Sequence, residues 1–352
     1  VSDWSALKRA EEAGRDAAAA YTRDPATAAE SELGGFNSGV GVLTARALRC
    51  LLALGVPPLL LGRLMLPGVR RNLRSRVWRV LEKYAFWCGV RNRLADRALL
   101  RRLTGGAIVL MYHAIGGIDE PPSKYVVSLR RFKRQMAWLR WTGRAVITVG
   151  ELVTDLKGGT PPAAGAVIIS FDDGYADNYR EALPVLREHG FRATIFVVSS
   201  CVGGVGSWGD DPILLGRQLL TAGEVEALRS EGCEIGGHSR THPSLVAIAS
   251  DDLEAEIAGS RRELEQLSGH PVTTFAYPFG DFDPTVARTV RDCGYEGACC
   301  SRSGINELRT PLFELRRVEV RGTDSLWQFI GMAWRGRRSR RSGLFRSRGP
   351  VG

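Results

Sequence analysis

With 352 residues the chain can bury one large core and has length left over, and its 44% hydrophobic content is that of an ordinary folded protein rather than a disordered one. The formal net charge of +10 invites a nucleic-acid reading. However, Arg far outnumbers Lys, and the basic residues cluster around 63–102 and 335–348, which ranks a membrane surface above nucleic acid as a partner.

Residues 1–40 are polar, Ala/Gly-rich and without a signal-peptide layout, so they are expected to be disordered or to belong to an upstream domain. Residues 41–103 read as a basic, apolar, helical segment. Within it the apolar run 50–62 is shorter than the ~18–20 residues a span needs, and Pro57-Pro58 breaks it. Arg46 and Arg49 precede the run; Arg70, Arg71, Arg74 and Arg76 follow it. The pattern predicts an interfacial or re-entrant membrane anchor, with a broken span and a buried helical hairpin as alternatives. Membrane association is the matching expectation for location, and a cytoplasmic protein is the alternative. The seven cysteines lack metal-ligand spacing and fit buried thiols in a reducing compartment. Of the adjacent pair Cys299-Cys300, one thiol is expected to face inward and one outward.

From residue 104 to 334 the pattern alternates between strand and helix. Apolar runs predict strands at 107–112, 166–171, 193–198, 234–238, 273–277, 297–300 and 315–320, with a shorter one at 146–148. Ser128 can cap a helix whose Leu129, Phe132, Met136 and Leu139 line one face. Further helices are predicted at 148–156, 178–189, 223–230, 251–268, 284–292 and 325–334. Strand–helix repetition implies parallel strands with helices outside, and in a closed parallel barrel functional residues gather at the C-terminal strand ends. The Arg-rich stretch 335–352 then forms a tail.

Two motifs carry chemistry. Asp172 and Asp173 are adjacent carboxylates in a turn directly after an apolar strand, and such neighbours are costly to hold together without a cation. His238 and His242, four apart, would share one face of a helical turn and can bind one divalent metal. One Asp with two His leaves coordination positions open, as in a catalytic metal site, and the second Asp remains free to act as a base. Such a donor set suits Zn²⁺ best, with Co²⁺, Ni²⁺ or Mn²⁺ as alternatives. Tyr277-Pro278-Phe279 is expected to wall the groove. Trp208 and Asp210 in a Gly-rich loop, with Arg316 and Arg317, are the candidates for holding a sugar.

The segments Ser170-Phe171-Asp172-Asp173-Gly174, His238-Ser239-Arg240-Thr241-His242 and Phe275-Ala276-Tyr277-Pro278-Phe279-Gly280, in this order and spacing, resemble the polysaccharide deacetylases (carbohydrate esterase family four, the NodB-homology domain). The resemblance implies an α/β fold, a distorted (β/α)7-type barrel. It also implies that Asp172 is the general base, that Asp173 joins His238 and His242 on the metal, and that the Phe279 N–H helps hold an oxyanion. Two departures stand out. Many members carry an Arg that orients the base where Ala276 stands here, and the late strand 315–320 lacks the family's usual general-acid His. A subset takes the acid from an early Tyr-His, which implies His113 after Tyr112. The activity implied is removal of N-acetyl groups from N-acetylhexosamine units of a glycan or lipid-linked saccharide, as in a bacterial cell envelope. An O-acetyl esterase is the alternative, as is a silent carbohydrate-binding domain tethered to a membrane glycosyltransferase. Residues 43–100 resemble the membrane-proximal tail of such glycosyltransferases, which makes one a candidate partner.

Overall fold

The computed structural model describes residues 4–25, 32–37, 40–69, 73–94, 96–117, 120, 123–208 and 211–338. They divide into two compact units. One comprises the described residues of Val1–Ala107 with Leu152–Ala166 and Asn306–Pro311; the other those of Ile108–Glu151, Val167–Ile305 and Leu312–Gly352.

The first unit is helical: α1 (Trp4–Arg23), α2 (Val42–Leu54), α3 (Pro58–Met65), α4 (Arg74–Arg93) and α5 (Arg97–Leu103). The disorder expected for 1–40 does not hold over α1. Its polar composition hides a narrow stripe of Leu7, Gly14, Ala18 and Tyr21, which is buried. The stripe works because glycines let two backbones meet: a Cβ on Gly14 would lie 1.9 Å from the Phe86 carbonyl oxygen, and one on Gly89 would lie 1.9 Å from that of Glu11. Gly89→Ala should gain about 1 kcal/mol of helix propensity yet force α1 off α4. Overpacking of about 1–3 kcal/mol outweighs that gain, so a lower urea midpoint is expected; an unchanged or higher one would refute the close contact. Among the described residues no helix is long and apolar enough to cross a membrane.

The second unit is built on a parallel sheet. Its strands are β1 (Ile108–Tyr112), β2 (Ala114–Gly116), β3 (Val126–Ser128), β4 (Val146–Ile147), β5 (Val167–Phe171), β6 (Thr194–Val197), β7 (Glu234–Gly237), β8 (Thr274–Ala276), β9 (Gly297–Cys299) and β10 (Arg317–Glu319). Between and beyond them lie α6 (Leu129–Trp141), α7 (Val149–Lys157, assigned to the first unit from Leu152 on), α8 (Leu183–His189), α9 (Ala222–Ser230), α10 (Ser250–Ser268), α11 (Pro284–Asp292) and α12 (Leu326–Arg335). The strand order is β10-β1-β5-β6-β7-β8-β9, with β4 also on β5, and a parallel bridge from Cys299 to Leu315 nearly closes the ring. This is the distorted barrel expected. The pair β2–β3 was not foreseen, because each is only three residues long.

Strand periodicity sorts side chains between the helix layer and the interior. Ile108, Leu110 and Tyr112 join Phe132, Met136 and Leu139 of α6 in one core, while Met111 between them lines a cavity. On β10 the same rule sends Val318 to that core and Arg317 and Glu319 to the cavity. Cys299 and Cys300 face opposite ways as expected, Cys300 into the helix-side core and Cys299 toward Arg317 and Asp172, and both are fully buried because both sheet faces are covered. All seven thiols are free.

Candidate active site

The cavity measures about 540 Å³ and collects residues from the ends of several strands, among them His113, Asp172, Asp173, His238, His242 and Phe279. Its centre is the turn after β5. Asp173 adopts a left-handed conformation (φ 72°), unusual for a residue with a side chain, so two adjacent carboxylates leave the strand in different directions. Both are buried.

Each carboxylate has its own partners. Asp172 receives a two-pronged ion pair from Arg317, with Nη1 to Oδ1 at 2.5 Å and Nη2 to Oδ2 at 2.9 Å. The guanidinium is itself buried; its Nε also donates to the Cys300 carbonyl, and it lies over the Phe196 ring. Burial works to raise the Asp172 pKa, but Arg317, with His238 and His113, overcomes it and holds the carboxyl below its ordinary value. The repulsion inferred for an Asp-Asp pair is thus relieved on this side by a side chain rather than by a metal. Arg317 therefore serves Asp172 rather than making the sugar contact expected of it alongside Arg316, a role its sequence position does not reveal. Neighbours on a strand face opposite ways, so Arg316 is exposed and does not line the cavity, while Arg317 is committed to Asp172. The signal was there in Ala276, which leaves Asp172 in need of another cation.

Asp173 faces the two histidines. Its Oδ1 lies 3.4 Å from His238 Nε2 and 3.3 Å from His242 Nε2. Donor atoms around a tetrahedral ion with bonds of about 2.0–2.1 Å sit roughly 3.3 Å apart, so these three fit a small divalent cation. The remaining nitrogens agree with this use. His238 Nδ1 lies 2.7 Å from the Ala276 carbonyl, which fixes the proton there and leaves Nε2 as a lone-pair donor. Burial chiefly pulls the His242 pKa down, keeping that ring neutral. For His238 burial acts the same way, but the two aspartates outweigh it and raise its pKa. Burial would raise the Asp173 pKa, yet the two imidazoles beside it hold it well below the ordinary value.

The histidines do not meet through a helical turn, as their spacing had predicted. His238 follows β7, and the chain then passes through Ser239 (φ 61°) and His242 (φ 65°), both left-handed. A loop held this way needs bracing. Ser239 Oγ accepts the His242 N–H at 3.0 Å, and Glu256 of α10 accepts the N–H groups of Arg240 and Thr241, each at 2.9 Å. Trp208 stacks on the His242 ring (4.7 Å, 17°) and Phe279 meets it edge-on at 4.7 Å.

His113 lines the same cavity at the end of β1. Its ring packs edge-on against Tyr125 at 4.8 Å, and its buried Nδ1 has no protein partner. Asn178, in the π-turn Asn178–Ala182, donates to the His113 carbonyl at 2.9 Å and fixes the backbone there. Of the expected wall, only Phe279 reaches the cavity; it is half exposed and left-handed (φ 59°). Tyr277 and Pro278 are buried, and Tyr277 packs into the helix-side core and donates to the Phe313 carbonyl at 3.0 Å. Alternation again is the reason, since Tyr277 shares the face of Phe275. Trp208 lines the cavity, while Asp210 lies outside the described residues. Arg338, assigned to the basic tail, instead pairs with Asp324 at 2.5 Å beside the cavity.

Comparison with known proteins agrees with this fold. The polysaccharide deacetylase family model matches residues 159–298. YxkH of Bacillus subtilis (strain 168) is 26% identical over 212 residues, covering 60% of this chain and 70% of that protein. The poly-beta-1,6-N-acetyl-D-glucosamine N-deacetylase of Escherichia coli (strain K12) is 24% identical over 264 residues, or 64% of this chain, which spans only 38% of that relative's length. The solved structure of IcaB from Ammonifex degensii superposes with a TM-score of 0.57 at 26% identity, covering 65% of this chain and 97% of that one.

Proposed function

Because this chain belongs to the polysaccharide deacetylase family, a family of hydrolytic enzymes, we propose that it removes N-acetyl groups from N-acetylhexosamine units of a glycan in a metal-dependent hydrolysis. The observation that carries the reading is the convergence of Asp173, His238 and His242 beside the Arg317-held Asp172 in one cavity. Asp173, His238 and His242 would hold a divalent cation, Zn²⁺ by the chemistry of one carboxylate and two imidazoles. Such an ion, when bound, polarises a carbonyl and makes a nearby water more acidic.

The chain's own groups supply the rest. Asp172, kept ionised by Arg317, accepts the proton that the attacking water loses. The Phe279 N–H, on its left-handed turn, is the donor for the oxyanion that develops on the acetyl carbonyl. His113 returns a proton to the departing amine, so acetate and a free amino sugar leave. Trp208 and Phe279 present aromatic faces to the sugar. The Escherichia coli relative is named for an N-acetylglucosamine polymer, and a linked N-acetylglucosamine glycan is the substrate class assigned here.

The test is acetate release from N-acetylglucosamine oligomers by the full chain. Release should fall by about 10²–10⁴ in Asp172→Asn and in His113→Ala. Acetate from acetylated xylan but not from the oligomers would replace this reading by an O-acetyl esterase. Undiminished release in His113→Ala would remove that residue as the acid.

A further inference from the structure

Helices α2 and α3 carry an apolar surface that the described residues leave uncovered. Leu54 at the end of α2 is 78% exposed, and on α3 Leu64 is 71% exposed and Leu60 49%, with Leu59 and Met65 also open. Leu60 and Leu64 are one turn apart on the same side of α3, whereas Pro58, Leu61 and Gly62 are buried. Single exposed leucines are ordinary, but a cluster of this kind marks an interaction surface.

The same stretch is strongly basic. Arg63, Arg74, Arg76 and Arg79 are exposed, and among the described residues none pairs with a carboxylate. Three of them, Arg63, Arg74 and Arg79, border a cavity of about 680 Å³ walled by Trp4, Leu66, Pro67 and Trp78. The two tryptophans meet edge to face at 5.4 Å, and Gly62 admits Trp4 because a Cβ there would come within 2.7 Å of its ring. At 8 residues α3 is about 12 Å long, far short of a span, and Pro57-Pro58 separates it from α2. Helices this short lie along an interface rather than across it.

We propose that this face of the helical unit docks on an anionic phospholipid bilayer, with the leucines in the acyl boundary and the arginines on headgroup phosphates. Nucleic acid would satisfy the arginines and leave the leucines in water. A neutral apolar partner would do the reverse. An anionic bilayer meets both demands, because negative phosphates overlie hydrocarbon, and tryptophan is favoured at that boundary. The proposal stands apart from the deacetylase reading, since no residue of the catalytic cavity takes part.

The experiment is co-sedimentation of the full chain with vesicles of phosphatidylcholine alone and of phosphatidylcholine mixed with phosphatidylglycerol. Binding to the mixture is expected. It should weaken roughly a hundredfold when Arg63, Arg74 and Arg79 are together changed to Gln. Leu60→Ser with Leu64→Ser should weaken it at least about tenfold. Acetate release from soluble oligomers should be the same in parent and variants, which separates this result from any failure of the catalytic assignment. No sedimentation with the mixed vesicles would overturn the proposal, and so would equal binding to phosphatidylcholine. Self-association abolished by the leucine changes, without vesicle binding, would assign the face to a second copy of the chain instead.

Discussion

His242→Ala should lower acetate release by about 10³ or more and release the bound divalent ion, while leaving the fold intact. A Lewis acid contributes several kcal/mol to such a hydrolysis, and about 4 kcal/mol is roughly 10³ in rate. With Asp173 and His238 left as the two remaining donors, the ion would lose one of three protein ligands. The substitution lies on a loop braced separately by Glu256, so its effect on unfolding should be small. Metal content by elemental analysis, activity and thermal unfolding, measured on one preparation, test this together. A variant that keeps both metal and turnover would sink the assignment of the site. Chelation followed by return of Zn²⁺ or Co²⁺ to the parent should remove and restore the same activity.

The second large effect is expected at Arg317. Arg317→Met would strip a buried carboxylate of the guanidinium that pairs with it, leaving Asp172 desolvated without its strongest counter-charge. Removing one member of a buried ion pair costs about 3–5 kcal/mol, much more than the pair itself contributes. Burial would then raise the Asp172 pKa unopposed by its strongest counter-charge, and a protonated carboxyl is no base. Stability and turnover should therefore fall together. The double change Arg317→Met with Asp172→Asn separates the two causes: it removes the stranded charge, so stability should recover most of the loss while turnover stays low. If Arg317→Met alone unfolds at the parent's denaturant midpoint, the ion pair does not carry the load inferred here.

The arrangement explains how one turn holds two carboxylates for two purposes. Asp172 is tied to a fixed cation of the chain and Asp173 to imidazoles that can share an added one. The same two residues would be equivalent in an unfolded chain. Their difference arises from the left-handed Asp173, which points adjacent side chains at different partners.

What was legible in the sequence is local. Apolar runs placed the strands of the barrel to within one or two residues, because a doubly covered parallel strand must be apolar throughout. The helix start read at Ser128 is placed correctly, since α6 begins at Leu129, but the Ser128 side chain makes no capping hydrogen bond there. The metal-ligand candidates followed from residue type, since few neutral reasons bring Asp-Asp and a His pair to strand ends. What sequence could not supply is long-range. Arg317 meets Asp172 across 145 residues, and only closure of the sheet through β10 and β1 brings them together. The histidines converge through a strained loop whose bracing Glu256 belongs to another helix, so their four-residue spacing suggested the wrong geometry. Tyr277 left the cavity and Arg316 turned away from it because strand alternation is absolute, whereas its phase depends on which face the helices cover. Helix α1 was hidden because its packing rests on glycine, a residue whose sequence signal is for turns and whose use here, letting backbones touch, exists only once α4 lies against it.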